Sequence, residues 1–216
     1  MTKEKFTVYA IRHGLTYRNL NHEILGSKLC SELLDESIVL IKERRDRGIV
    51  PKINSLWCSP LMRAISTAEL YFPGMDIELK DCLAERDFGE WDGRPVAELK
   101  TEAGFINFAE TDGRTKPPGG ETYDDYQKRI MLAISDIESL AQRSPDSFPL
   151  ALIFHTGPIR SLSEYLLPED HELFRYLSPG AGGLQLDFTL DPFTVVRASE
   201  LFTDDTPIEK TPLWQD

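Results

Sequence analysis

Two of the chain's four histidines follow short apolar segments that have the composition of buried β-strands. His13 comes after residues 6–11 (FTVYAI), with Arg12 between, and His155 comes after residues 150–154 (LALIF). A neutral imidazole is nucleophilic near neutral pH, and an arginine guanidinium makes bidentate contacts with phosphate. Ligands of α/β sheets bind at the carboxyl ends of the strands. The pattern therefore indicates a site that binds and transfers a phosphoryl group.

Two further arginines are predicted near the same edge. Arg63 follows a second predicted strand, and Arg160 lies one turn into the helix predicted after His155. The start of that helix also offers backbone N–H groups to an anion. Taken singly, each residue has an ordinary structural explanation, because a histidine at a strand end is often hydrogen-bonded and an arginine there is often a surface charge. The inference of a phosphate site depends on all of them together.

An α/β scaffold would place these residues. Strands are predicted at 6–11, 53–57, 76–79, 150–154, 184–189 and 193–198, and helices at 33–47, 61–71, 122–143 and 158–167, with short ones near 95–101 and 104–110. Ser59 is expected to be the N-cap of the second helix, with Pro60 as its first residue. Strands alternate with helices without a linker or repeat. This predicts one α/β domain over residues 1–216 with a mostly parallel sheet and a loosely ordered tail from about 200 to 216.

The composition is that of an acidic globular protein. Lys and Arg number 24 and Asp and Glu 36, which gives a formal net charge of −12. Such a charge argues against binding nucleic acid or an anionic membrane surface, since both depend on Lys and Arg. Three cysteines without a CxxC spacing, and an N-terminus without an apolar signal region, favour a cytoplasmic protein. No apolar run approaches the roughly 18 residues of a membrane span.

Five sequence blocks carry a family resemblance. They are residues 12–19 (RHGLTYRN), 59–68 (SPLMRAISTA), 83–93 (LAERDFGEWDG), 119–122 (GGET) and 153–160 (IFHTGPIR). In this order they resemble the signature blocks of the histidine phosphatase superfamily, in its phosphoglycerate mutase-like branch. The resemblance implies a three-layer α/β sandwich with a mostly parallel central sheet and helices on both faces.

The resemblance also implies a role for each matching position. His13 would be the nucleophile, Arg12, Arg63, His155 and Asn19 would bind the phosphoryl oxygens, and Glu85 would be the general acid. These roles agree with the chemistry, because phosphoryl transfer needs fixed positive donors for three charged oxygens and a proton for the leaving alkoxide. No metal or other cofactor is expected, since the arginines neutralise the charge.

Other positions are expected to shape the substrate side of the site. Thr156 stands where the family commonly has glycine, and its hydroxyl could add a contact with phosphate. The segment after Gly26 lacks the Pro, Thr and Gly of many relatives, so the leaving-group side diverges. Arg86 could add positive charge and Trp91 an apolar contact, although Trp91 has the character of a core residue. Residues 93–118 are expected to form part of a lid.

Four functions are compatible with these residues. The FGEWDG stretch and the length favour a metal-independent phosphomonoesterase acting on a small phosphorylated metabolite, similar to alpha-ribazole and broad-specificity phosphatases. A mutase-type isomerase is the first alternative, but segment 101–118 holds only Arg114 and Lys116 as basic residues. The second alternative is a non-catalytic phosphate-binding regulatory protein on the same fold. A metalloenzyme is disfavoured because no HExxH or HxH pattern is present.

Overall fold

The computed structural model describes residues 4–167 and 180–202. Within these residues the strands are β1 (Lys5–Arg12), β2 (Ser55–Cys58), β3 (Glu78–Leu79), β4 (Leu150–Phe154), β5 (Gly183–Thr189) and β6 (Thr194–Leu201). The α-helices are α1 (Tyr17–Leu20), α2 (Asp35–Asp46), α3 (Met62–Tyr71), α4 (Val96–Leu99), α5 (Ala103–Glu110), α6 (Tyr123–Arg143) and α7 (Thr156–Leu166). Each predicted strand and helix is present, with ends shifted by at most three residues, and the strand 150–154 has the predicted bounds at both ends.

All the described strands form one sheet in the order β3-β2-β4-β1-β5-β6. β1 pairs in parallel with β4, β4 with β2 and β2 with β3, whereas β5 runs antiparallel to β1 and β6 antiparallel to β5. The predicted mostly parallel sheet is confirmed, with an antiparallel hairpin at one edge. Because β2, β4 and β1 are parallel neighbours, their carboxyl ends meet at one edge of the sheet.

Helices cover both faces of the sheet, as the three-layer sandwich requires. On one face, sheet residues such as Val8 and Leu152 pack against α6 and α7. On the other, Ile11 and Ile153 pack with residues of α2 and α3. Every residue of β4 is buried, which explains its uninterrupted apolar sequence, since both of its faces meet helices. A third cluster joins Trp91 to α4 and α5.

The N-cap of α3 and the first residue of α7 differ from those that the sequence predicts. α3 begins at Met62 with Leu61 as its N-cap, so the expectation that Ser59 caps this helix is wrong. α7 begins at Thr156, two residues before Pro158, and has His155 as its N-cap. Proline is tolerated in a first helical turn because the N–H groups there lack helical partners anyway. His155 therefore lies at a helix N-terminus, where the local positive potential disfavours a protonated imidazole.

The C-terminal part of the chain is described only in part. Residues 200 and 201 belong to β6, so the predicted loose tail cannot begin at 200. The rest of that prediction, from residue 203 on, lies outside the described residues. No helix in the described ranges is both long and apolar enough to cross a membrane.

Candidate active site

Three parallel strands deliver the candidate residues to one edge of the sheet. The N–H of His13, just past β1, donates to the carbonyl oxygen of Phe154 (2.9 Å), and the N–H of Ser59, just past β2, donates to that of Ile153 (2.9 Å). The ring centroids of His13 and His155 lie 5.0 Å apart, and both side chains are buried. The two histidines that the sequence singles out therefore meet at the carboxyl ends of adjacent strands.

The surroundings of His13 make its imidazole a neutral nucleophile. Its Nδ1 lies 2.7 Å from the carbonyl oxygen of Gly14. A carbonyl oxygen only accepts hydrogen bonds, so Nδ1 carries the proton and Nε2 keeps a lone pair. Burial, and then the charges of Arg63 and Arg12, hold the pKa of His13 well below its ordinary value. Nε2 is therefore unprotonated at neutral pH.

Arg63 ties the loop after α1 to α3. Its Nη1 donates to the carbonyl oxygen of Leu29 (3.1 Å), and its Nη2 donates to those of Gly26 (3.1 Å) and Leu25 (3.3 Å). Its Nε is buried and has no hydrogen-bond partner among the described residues. Burial lowers the pKa of Arg63 to about 10, which leaves the side chain charged at neutral pH. An unpartnered N–H on a buried cation near His13 is suited to a phosphoryl oxygen.

Arg12 adds a second positive charge to this edge. Its backbone N–H donates to the carbonyl oxygen of Gly182 (2.8 Å), which fixes the end of β1 against the start of β5. Its charge acts on Arg63 and on both histidines. Two neighbouring guanidinium groups repel each other, and an anion between them relieves that repulsion. In residues 4–167 and 180–202, no three His, Cys, Asp or Glu side chains are grouped to hold a metal ion.

Glu85 is a buried carboxyl group with an environment that favours its protonated form. Its side chain is 8% exposed. Oε1 accepts from the N–H of Arg86 (2.8 Å) and Oε2 from the N–H of Gly157 (3.2 Å). Burial raises the pKa of Glu85 above its ordinary value, although both hydrogen bonds and the charge of Arg63 oppose the shift. A carboxylic acid kept protonated toward neutral pH can serve as a general acid.

Gly157 is a functional position that the sequence shows only as part of the fifth block. A Cβ at this position would overlap Oε1 of Glu85 and lie 3.1 Å from the hydroxyl of Tyr126. Glycine therefore allows the first turn of α7 to hold the acid closely. We expect Gly157→Ala to displace Glu85 and to lower kcat for alkyl phosphates about 100-fold, since a shift of about 1 Å in a catalytic group costs this much.

Steady-state kinetics on an alkyl phosphate test this expectation. Gly104→Ala is the matched control, because a Cβ at Gly104 makes only an ordinary contact, 3.8 Å from the Trp91 ring. An unchanged kcat in Gly157→Ala would show that the position of Glu85 does not limit the reaction.

Ser59 bonds to His155 instead of capping a helix. The Oγ of Ser59 lies 2.8 Å from Nε2 of His155 and also accepts from the N–H of Leu61 (3.3 Å). Nδ1 of His155 is buried and has no partner within the described ranges. Burial, then Arg63, His13 and Arg12, lower the pKa of His155 well below its ordinary value, so the ring has one N–H. When Ser59 donates its hydroxyl proton to Nε2, that N–H is at Nδ1 and can bind an anion.

We expect Ser59→Ala to weaken phosphate binding. Without the hydroxyl, nothing favours the tautomer of His155 that presents a donor at Nδ1, so the inhibition constant of inorganic phosphate should rise about tenfold, the size of one lost hydrogen bond to a charged group. Competitive inhibition measures the effect. Ser55→Ala is the control, since Ser55 is the first residue of β2, at the other end from Ser59, and its hydroxyl donates to the carbonyl oxygen of Ser147 (2.7 Å). Equal constants in both variants would contradict the role of Ser59.

The structure shows Asn19 buried in a local turn and Thr156 directly after His155. Asn19 forms a capping box with Thr16, in which its Oδ1 accepts from the backbone N–H (3.0 Å) and the hydroxyl (2.9 Å) of Thr16. A contact between Asn19 and phosphate would therefore come from Nδ2. Thr156 is the first residue of α7 and is half-buried. The neighbouring N–H of Gly157 bonds Glu85, so this N–H of the first turn of α7 is already engaged.

Arg86 and Trp91, which the sequence suggests as substrate-shaping residues, are both buried and make structural contacts. Arg86 is buried, and its guanidinium donates to the carbonyl oxygens of Glu121 (3.0 Å) and Gly113. It therefore holds the segment 113–121. Trp91 is 2% exposed, with its ring centroid 5.3 Å from that of Phe105. Trp91 therefore packs in the third core cluster, as its core character in the sequence indicates.

Arg129 is a residue that the sequence motifs do not single out. It donates from Nη1 to the carbonyl oxygens of Cys82 (3.1 Å) and Ala84 (2.9 Å), directly before Glu85. It also makes two bonds of 2.9 Å to the carboxylate of Glu121. Arg129 thus fixes the backbone that carries the acid. No local signal reveals this, because Arg129 occupies a polar position of α6 far from Glu85 in sequence.

A family model and individual relatives of known name match this chain. The model of the histidine phosphatase superfamily, branch 1, matches residues 8–199. The fructose-2,6-bisphosphatase TIGAR B of Danio rerio is 29% identical over 160 residues, which cover 68% of this chain and 58% of that protein. TIGAR of Bos taurus is 27% identical over 176 residues, or 71% of this chain and 63% of that protein. The chain thus spans about three fifths of the length of these two relatives.

Solved structures share the fold. The alpha-ribazole phosphatase of Shigella flexneri superposes with a TM-score of 0.78 at 18% identity, covering 94% of this chain and 99% of that one. A phosphoglycerate mutase of Bacillus anthracis superposes with a TM-score of 0.71 at 20% identity, covering 89% and 92%. At these identities the likeness concerns the fold, which is common to proteins named as phosphatases and as mutases.

Proposed function

The chain belongs to branch 1 of the histidine phosphatase superfamily, and we propose that it is a phosphomonoesterase that hydrolyses a small phosphorylated metabolite through a phosphohistidine at His13. The observation that carries this proposal is the protonation of the His13 imidazole, which is neutral and has a lone pair on Nε2. Its Nδ1 is engaged by the carbonyl oxygen of Gly14 at 2.7 Å, and its lowered pKa leaves a lone pair on Nε2. The phosphatase names of the similar zebrafish and Shigella proteins support hydrolysis as the reaction.

Binding of the phosphoryl group would use the cations and donors at the strand ends. Arg12 and the Nε of Arg63 would face two of its oxygens, and the Nδ1–H of His155 a third. The transition state spreads negative charge over these oxygens, and preorganised donors in a buried site stabilise that charge without reorganising. The guanidinium groups supply this neutralisation, so the proposed reaction needs no metal ion.

The first chemical step transfers the phosphoryl group to the protein. Nε2 of His13 forms a bond to phosphorus while the bond from phosphorus to the ester oxygen breaks. Glu85 gives its proton to that oxygen, which leaves as an alcohol. This step produces a phosphohistidine and a Glu85 carboxylate.

The second step returns the protein to its starting state. The Glu85 carboxylate takes a proton from a water molecule whose oxygen bonds to phosphorus. The bond from phosphorus to Nε2 breaks, and inorganic phosphate leaves. Glu85 is then protonated again and His13 is neutral again, so the same carboxyl group acts as acid and as base.

A trapping experiment on the purified protein tests the proposal. A panel of phosphomonoesters is mixed with the protein in EDTA, and phosphate release is followed together with an acid-labile, base-stable phosphoenzyme. We expect both signals. A phosphoenzyme that transfers to a second alcohol but scarcely hydrolyses would indicate a mutase, and phosphate binding without either signal would indicate a non-catalytic binding protein. Activity that EDTA removes and a divalent cation restores would contradict the metal-free reaction.

A further inference from the structure

We propose that the phosphomonoester hydrolysed by this protein carries no second phosphate, because two carboxylates engage the arginine that would otherwise bind one. That arginine is Arg160 on α7, and its partners are Asp112 and Glu164. The inference rests on the proposed function for the reaction itself. It adds the class of substrate, which is an ester whose alcohol part is neutral or positively charged.

A closed path of contacts places Arg160 on the side of the site from which the leaving group departs. Glu85, the proposed proton donor, accepts from the N–H of Gly157 (3.2 Å), and Arg160 lies three residues further on the same face of α7. Asp112, which binds Arg160, precedes a glycine whose carbonyl oxygen accepts from Arg86. The N–H of Arg86 in turn donates to Glu85 (2.8 Å). The ion pair between Arg160 and Asp112 is thus connected to Glu85 on both sides, through the first turn of α7 and through Arg86.

The guanidinium of Arg160 is engaged by a carboxylate on each of two sides. Its Nε lies 2.9 Å from Oε1 of Glu164, and its Nη2 bonds Oδ2 of Asp112. The side chain of Arg160 is 28% exposed and that of Asp112 is 60% exposed, so the group lies at the rim in contact with solvent. Two carboxylates around one guanidinium leave a net negative charge. A second phosphate at this place would meet repulsion instead of an available cation.

Two other cations near the site are engaged in the same way. Lys28, in the loop that Arg63 binds, pairs with Asp87 at 2.7 Å. Arg18, in α1, pairs with Glu23. Each cation thus has a carboxylate beside it, and a phosphate that binds either cation must first compete with that carboxylate.

The two basic residues of the segment 101–118 are directed to α6. Arg114 lies over the ring of Tyr123, 5.9 Å from its centroid. Lys116 interacts electrostatically with Asp125, in the acidic first turn of the helix. These contacts agree with a site in which Arg12 and Arg63 match the charge of one phosphoryl group. The other charged side chains around that site are paired or leave a net negative charge.

Kinetics on a matched pair of substrates test the inference. Glucose 1-phosphate and glucose 1,6-bisphosphate both carry the 1-phosphate ester, with and without a second phosphate, and release of glucose from the first and of glucose 6-phosphate from the second measures cleavage of that same ester. We expect the wild-type protein to have a kcat/KM at least about tenfold higher for the monophosphate. In the double variant Asp112→Asn/Glu164→Gln, which frees Arg160, this preference should fall about tenfold, since removing two charges and releasing a cation act in the same direction. Asn suits position 112 because the residue there has a positive φ of 54°.

The controls separate failure of this inference from failure of the proposed function. Glu43→Gln/Asp46→Asn removes the same number of carboxylates from the exposed surface of α2 and should leave the preference unchanged. A wild-type protein that prefers the bisphosphate, or an unchanged preference in Asp112→Asn/Glu164→Gln, would overturn the inference. If neither glucose ester is hydrolysed, calorimetric titration decides the inference: tighter binding of inorganic phosphate than of pyrophosphate supports it, and the reverse order overturns it. The proposed function itself fails only if no ester of the phosphomonoester panel is hydrolysed.

Discussion

Replacement of His13 with alanine is expected to abolish the phosphoenzyme and to lower kcat on the order of 10⁴-fold or more, as losses of catalytic nucleophiles do. The imidazole is the group whose Nε2 would bond phosphorus, and the ring of His155, 5.0 Å away by centroids, cannot replace it because its own Nε2 bonds Ser59. The measurement is the amount of acid-labile phosphate bound to the protein after rapid mixing with substrate, together with the turnover rate.

Two controls make the result interpretable. His22→Asn alters an exposed histidine, tolerates its positive φ of 52° and should retain full activity. His13→Ala should still unfold in one thermal transition above the assay temperature, since the alanine removes the bond to Gly14 and the ring contact with His155 but keeps the backbone hydrogen bond to Phe154. Retention of the phosphoenzyme in a folded His13→Ala protein would assign the nucleophile to another residue.

Glu85→Gln is expected to discriminate between leaving groups. An amide has no proton of suitable acidity to give, so turnover of alkyl phosphates should fall about 10²- to 10⁴-fold. p-Nitrophenyl phosphate, whose leaving group needs little protonation, should lose much less in the phosphorylation step. Rates of alcohol release for the two ester types measure the difference, and Glu98→Gln, which changes an exposed carboxyl group on α4, is the control. Equal losses on both ester types would contradict the role of Glu85 as a general acid.

The pH dependence gives a second measure of the same group. Burial raises the pKa of Glu85, so the protonated form persists to higher pH than for an ordinary carboxyl group. Activity on alkyl phosphates should therefore decline as the pH rises through this raised pKa, because the acid form disappears. The pKa of His13 is lowered, so the nucleophile remains unprotonated when the pH is decreased below neutral. The alkaline decline should be absent from Glu85→Gln, and its persistence there would assign it to another group.

Much of the fold and the central residues of the site could be predicted from the sequence, because their signals are local. The run 150–154 is apolar throughout, as a strand buried on both faces must be, and His155 follows it directly. Parallel pairing then brings His13 and His155 together at one edge. Four of the five blocks have the same local character, since each lies at the end of a strand or the start of a helix; the block 83–93 lies between β3 and α4.

The residues that the sequence could not place are those whose partners are distant in the chain. Arg86 and Arg160 have the charge of phosphate ligands, but the carbonyl oxygens that engage Arg86 and the Asp112 carboxylate that engages Arg160 come from other segments. Ser59 precedes a proline in a pattern typical of an N-cap, yet the hydroxyl bonds a histidine 96 residues later. Arg129 supports Glu85 across 44 residues. A sequence pattern records the residue type, whereas these contacts are decided by the tertiary fold.

The contacts of Arg63 bear on how this protein could diverge from its relatives. The guanidinium holds the loop after α1 only through the backbone carbonyl oxygens of Leu25, Gly26 and Leu29. Every amino acid supplies such an oxygen, so substitutions at 25 and 29 leave the anchor in place, and Gly26 alone is restricted by its close approach to Asp92. Selection for a new leaving group can therefore change the side chains of this loop without moving Arg63, the proposed phosphate ligand that secures it.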